Sequence, residues 1–207
     1  MNFKIIYGMV IGLMVLTSCC SGAESPKIEP DSLQEKKVLI IYLSRTKNTK
    51  TVAEMIHQQT GGQLVELELA TPYPDKYQKH VDQARKENET GVLPKLKTKI
   101  EDIEKYDVIF IGFPTWGMQL PPPMKSFLTV HNLSGKTVVP FNTNAGYGLG
   151  SSIKTIKSLC QNSTVLEEFS VEGGKERDGI LFVMKEKKEQ EVRAELKAWL
   201  QKLGFVG

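Results

Sequence analysis

Residues 37–49 read K-V-L-I-I-Y-L-S-R-T-K-N-T, and the reading of this stretch decides the fold. Val38 to Leu43 is an unbroken apolar run that stops at Ser44, as a strand buried on both faces does. From Thr49 to Thr60 the spacing becomes helical, with Val52, Met55 and Ile56 on one face. Between them, Ser44 to Thr49 gathers hydroxyls and backbone donors at the start of a helix. Such a terminus offers unpaired N–H groups and the positive end of the macrodipole to an anion, a phosphate above all. By itself the turn fits a plain N-cap as well as a phosphate site.

Working outward, Leu64 to Leu69, Val108 to Gly112, Thr137 to Phe141 and Val165 to Val171 also read as strands. Helical patterns over Pro74 to Asn88, Met124 to Asn132, Gly150 to Leu159 and Lys187 to Leu203 lie between or after them. Five strands alternating with helices predict an α/β domain with a parallel sheet covered on both faces. Ligands of open parallel sheets lie beyond the carboxyl ends of the strands, so the loops there matter. After the third strand comes F-P-T-W-G-M-Q-L-P-P-P, which sets Trp116 between Pro114 and Pro121 to Pro123. A rigid exposed tryptophan invites a planar partner, although a lid on the core fits too. After the fourth comes N-T-N-A-G-Y-G, whose small residues let backbone approach a ligand and whose one aromatic is Tyr147. The run G-I-L-F-V-M, Gly179 to Met184, reads as an extra or edge strand.

The first residues have a different character. Lys4 precedes an apolar stretch from Ile5 to Leu16, too short to span a bilayer comfortably, and Leu16-Thr17-Ser18-Cys19 closes it. This resembles a bacterial lipoprotein signal, which implies cleavage before Cys19 and acyl chains on that residue; an ordinary signal peptide or an uncleaved anchor also fits. The expected organisation is therefore a signal peptide over 1–18, a flexible tether over 19–36 rich in Ser, Glu, Lys and Pro, and one domain over 37–207. The expected location is the cell envelope, lipid-anchored on a non-cytosolic face. Cys160 is then the one cysteine of the domain and reads as core filler. The formal charge of +3 falls to +2 without Lys4, too near neutral to imply a nucleic-acid partner, and none is expected.

Three segments in order, V-L-I-I-Y-L-S-R-T-K-N-T, Y-D-V-I-F-I-G-F-P-T-W and V-V-P-F-N-T-N-A-G-Y-G-L-G-S-S, resemble the flavodoxin family. The resemblance implies a doubly wound five-stranded sheet of order 2-1-3-4-5 and one non-covalent flavin mononucleotide, FMN. It implies a phosphate held by Ser44, Thr46, Asn48 and Thr49, with Arg45 and Lys47 in the same loop. The ring would be flanked by Pro114, Thr115, Trp116, Gly117 and Met118 on one side, and by Thr143, Asn144, Ala145, Gly146, Tyr147 and Gly148 on the other. Gly117 would let a peptide beside the ring reorient on reduction. The chain departs from the family pattern where Lys47 replaces a glycine, where W-G-M stands for W-W-G, and where T-N-A-G-Y-G stands for T-H-G-G-S-G.

No side chain is expected to act as an acid or base, since the flavin carries the chemistry. His57, His80 and His131 read as surface or packing residues, and no metal site is visible. The function expected is electron transfer at a membrane surface, with a redox protein or a quinone as partner. The alternatives are an NAD(P)H-dependent oxidoreductase similar to quinone reductases and a flavin-free binding lipoprotein. An exported domain has no access to cytosolic nicotinamide cofactors, which favours a membrane or protein reductant.

Overall fold

The computed structural model describes residues 36–207; the expected signal peptide, Cys19 and all of the tether but Lys36 lie outside them. The sheet contains β1 (Val38–Tyr42), β2 (Gln63–Glu66), β3 (Val108–Pro114), β4 (Thr137–Asn144), β5 (Thr164–Val165) and β6 (Phe169–Glu172). The helices are α1 (Asn48–Thr60), α2 (Tyr77–Thr90), α3 (Pro122–Val130), α4 (Ser152–Leu159) and α5 (Glu186–Lys202). All strand pairs are parallel, in the order β2-β1-β3-β4-β5, with β6 also on β4.

The fifth strand is interrupted. Val138 pairs with Val165 but Phe141 pairs with Phe169, so three steps along β4 face four along its neighbour. One inserted residue makes a bulge at 166–168 and re-aims the edge strand. The run from Gly179 to Met184 forms no strand, correcting that expectation: only Ile180 makes an isolated antiparallel bridge, to Lys175.

Period-two alternation in β1 divides the core. Val38, Ile40 and Tyr42 face one layer with Val52 and Ile56 of α1 and Leu196, Trp199 and Leu200 of α5. Leu39, Ile41 and Leu43 face the other, with Met124 and Phe127 of α3 and Ile156 of α4. Each such buried side chain contributes roughly 1.5–3 kcal/mol. Cys160 is buried in the second layer, and burial pushes its thiol pKa up to about 11. Gly112 is required by packing: a Cβ there would stand 2.1 Å from the Phe141 ring. No described helix is long and apolar enough to cross a membrane.

Candidate functional site

The segment after β1 turns because Lys47 adopts the left-handed conformation, φ 67° and ψ −6°, before α1 begins at Asn48. The helix is then closed by Thr51 N–H donating to the Lys47 carbonyl at 3.0 Å, while Lys50 N–H donates to Ser44 Oγ at 3.2 Å. Among the described residues, the backbone N–H groups from Arg45 to Thr49 find no acceptor. Consecutive free amides around a left-handed residue at a helix start make an anion cradle. The neighbouring side chains are largely engaged within the protein. Asn48 donates to Thr46 Oγ1 at 2.8 Å and to the Leu181 carbonyl at 2.6 Å, and accepts from Val183 N–H at 3.0 Å. The Thr49 hydroxyl lies 2.8 Å from that of Thr143.

The loop after β3 carries a two-residue turn. Trp116 and Gln119 exchange backbone hydrogen bonds of 3.2 and 3.0 Å, and both residues between them have positive φ, Gly117 at 55° and Met118 at 60°. That is the signature of a primed turn, unstrained for glycine and costly for methionine. The turn is latched from below: Ser151 N–H donates to the Met118 carbonyl at 2.9 Å. Gly150 must be glycine for this contact, since its Cβ would sit 2.0 Å from that carbonyl oxygen. In the loop after β4, Asn144 Oδ1 accepts from Gly146 and Gly148 N–H at 2.8 and 3.0 Å and so shapes the turn that displays Tyr147. Thr115 joins the two loops, its hydroxyl donating to the Gly148 carbonyl at 2.9 Å.

Together these loops wall a cavity of about 680 Å³. Of the residues expected at the site, Arg45, Thr46, Asn48, Thr49, Pro114, Thr115, Trp116, Gly117, Met118, Thr143, Asn144, Ala145, Tyr147 and Gly148 line it. Ser44 faces a second, smaller cavity instead, and Lys47 and Gly146 belong to neither lining.

Two parts of the wall were not foreseen. The first is the segment from Gly173 to Asp178. Its Glu176 receives Arg45 Nε at 2.9 and 2.8 Å and Nη2 at 2.7 Å, so the guanidinium charge is met inside the protein. The second is one face of α2, with His80 at its centre. His80 is 5 % exposed, and its Nδ1 lies 3.1 Å from Arg45 Nη1. Its ring stands edge-on to Trp116 with centroids 4.3 Å apart. Burial, then the Arg45 charge, lowers the imidazole pKa to about 4. Among the described residues its Nε2 has no hydrogen-bond partner. The helical spacing of Tyr77, His80, Val81 and Ala84 marks this face in the sequence; nothing local shows that it turns toward Trp116.

The family model for flavodoxin matches residues 37–186. The chain belongs to the flavodoxin family. Among solved structures, the chain is similar to a candidate flavoprotein from Bacteroides eggerthii, at 28% identity over 81% of this chain and 98% of that one, with a TM-score of 0.65. It is similar to a flavoprotein from Lactobacillus acidophilus solved in complex with FMN, at 25% identity over 65% of this chain and 93% of that one, with a TM-score of 0.58. A further structure from Bacteroides uniformis, 22% identical over 80% of this chain and 98% of that one, shares the fold with a TM-score of 0.64. No curated protein matches the chain.

The donor set of the site fits a phosphorylated planar cofactor. The amide cradle suits a phosphate, and Trp116 and Tyr147 supply aromatic surface on the same cavity. The positive φ of Lys47 answers why relatives place glycine there, and L side chains in that region cost about 1–2 kcal/mol.

Proposed function

We propose that this flavodoxin-family protein binds one FMN and exchanges electrons with a redox partner at a membrane surface. The observation that carries the reading is the run of unpartnered amides from Arg45 to Thr49, in a loop whose Arg45, Thr46, Asn48 and Thr49 line the same cavity as Trp116. Those amides and the Thr46 hydroxyl would hold the phosphate. A phosphate dianion can be bound there without a counter-cation, since charge-assisted hydrogen bonds contribute roughly 1.5–3 kcal/mol each. Trp116 and Tyr147 would flank the ring, Trp116 braced by Tyr73 and His80 and Tyr147 63% exposed at the rim. When bound, the flavin supplies one- and two-electron transfer. The residues around it bind, orient and exclude water.

The FMN-bound relative and the family match support the cofactor. The membrane setting rests on the sequence of residues 1–19, with Cys19 as the acylated residue of a lipoprotein of the cell envelope. The partner is then a redox protein or a quinone within reach of the tether. The extension of the cavity along α2 favours, as a second reading, an oxidoreductase that also binds a small molecule.

The absorption spectrum of the purified protein with and without added FMN tests the cofactor: flavin bands that survive gel filtration are expected, and colourless protein at millimolar FMN refutes the reading. Fractionation of cells expressing Cys19→Ala tests the anchor, with movement from the membrane to the soluble fraction as the expected result.

A further inference from the structure

We propose that the face of α2 turned toward the Trp116 loop is a second ligand subsite, adjoining the flavin site, that takes a flat molecule bearing a hydrogen-bond-accepting carbonyl oxygen. The inference rests on the flavin reading above and adds to it the place of a small redox partner.

The cavity does not end at the three strand-end loops. Tyr77, His80, Val81, Ala84, Arg85 and Asn88 line it as well, and their spacing places all six on one face of the helix. None of them lies in a loop that would hold the flavin.

The centre of this face is His80, which lines both the larger and the smaller cavity and carries a buried ring nitrogen. Arg45 can only donate, so its contact with Nδ1 of the neutral His80 ring puts the imidazole proton on Nε2. That N–H is buried and has no acceptor among the described residues. Native structures rarely leave such a group unpaired. The ring lies 4.3 Å from the Trp116 ring, which sets the subsite next to the loop that would flank the flavin.

The rest of the face fixes the ligand chemistry. Val81, Ala84 and the Tyr77 ring are apolar surface for a flat molecule. The Asn88 carbonyl oxygen is taken by Lys125 Nζ at 2.8 Å, which leaves its amide N–H groups for a ligand. The Arg85 charge is met by Asp82 at 2.8 Å. Glu89, at the outer end of the cavity, is exposed. Donors on an apolar wall select carbonyl oxygen, a chemistry shared by a quinone and by the carboxamide of a nicotinamide cofactor.

Calorimetric titration of the oxidised, FMN-loaded full chain in detergent with duroquinone and, separately, with NADP+ tests the subsite and tells the two sources apart. Binding of at least one probe is expected. His80→Asn, which keeps an acceptor for Arg45 and deletes the Nε2 donor, should weaken it about tenfold. His80→Gln, which restores an N–H near the Nε2 position, should retain it, and Val81→Trp, at a partly exposed position that fills the groove, should abolish it. FMN affinity, read by quenching of flavin fluorescence, should stay within about threefold of the parent in Val81→Trp, and probe binding to the His80 variants is measured on protein shown to be saturated with FMN. Flavin-loaded protein that binds neither probe, or variants that bind as the parent does, would overturn the subsite alone. Protein that takes up no flavin would overturn the function beneath it, and is recognised before any probe is added.

Discussion

The hydroxyls of Thr49 and Thr143 lie 2.8 Å apart, joining the first turn of α1 to the end of β4. Both residues are nearly inaccessible, at 2% and 4% exposure, and they connect the Ser44–Thr49 loop to the loop that carries Tyr147. Thr49→Val and Thr143→Val should each destabilise the fold by about 1–2 kcal/mol, because each leaves a buried hydroxyl unpaired. The double variant should cost less than the sum of the two, a coupling that urea unfolding of the four proteins would measure. Equal, additive losses would show that the pair does not interact.

Lys47→Gly should stabilise the protein. The residue is exposed, and its φ of 67° suits glycine. Relief of strain of about 1–2 kcal/mol exceeds the unfolded-state entropy gained by glycine, about 0.4–1 kcal/mol. A net gain of about 0.5–1 kcal/mol is expected in chemical denaturation. A loss of stability would mean that the lysine side chain compensates for its backbone.

Gly150→Ala should be far more damaging than its surface position suggests. The new methyl would meet the Met118 carbonyl oxygen at 2.0 Å, and the backbone there has a φ of +55°. The Trp116 turn must then lift off Ser151. A loss of at least about 2 kcal/mol is expected, together with weaker FMN binding. Thermal denaturation and a flavin titration would report the two effects separately.

The stability of the fold should depend on pH through His80. Its folded pKa of about 4 lies below the ordinary 6.5, so between these values the unfolded chain binds the proton and the folded chain does not. Stability is therefore full above pH 6.5 and falls as the pH drops toward 4, by roughly 2–3 kcal/mol. Urea unfolding at pH 7, 5.5 and 4.5 should show this slope in the parent and a shallower one in His80→Gln.

The sheet was legible because its evidence is local. Val38 to Leu43 carries its burial in its own composition, and the positions of the Ser44–Thr49, Trp116 and Tyr147 loops follow from where their strands stop. Even the demand for positive φ at Lys47 was visible as a lysine standing where the family has glycine. The interruption of the fifth strand was not, since a one-residue shift between Val165 and Phe169 shows only when both are paired to β4.

The sequence by itself determined the parallel sheet and the three loops at its carboxyl end, since strand burial, helix spacing and turn chemistry are set by residues close to one another in the chain. Tertiary structure alone decided that the segment from Gly179 to Met184 meets the start of α1, where Asn48 donates to the Leu181 carbonyl and accepts from Val183 N–H. It also decided that His80 stands 35 residues from Arg45 in sequence and 3.1 Å away in space, and that Glu176 meets Arg45 across 131 residues. Such partnerships form when the chain closes on itself, and no periodicity of the individual segments encodes them.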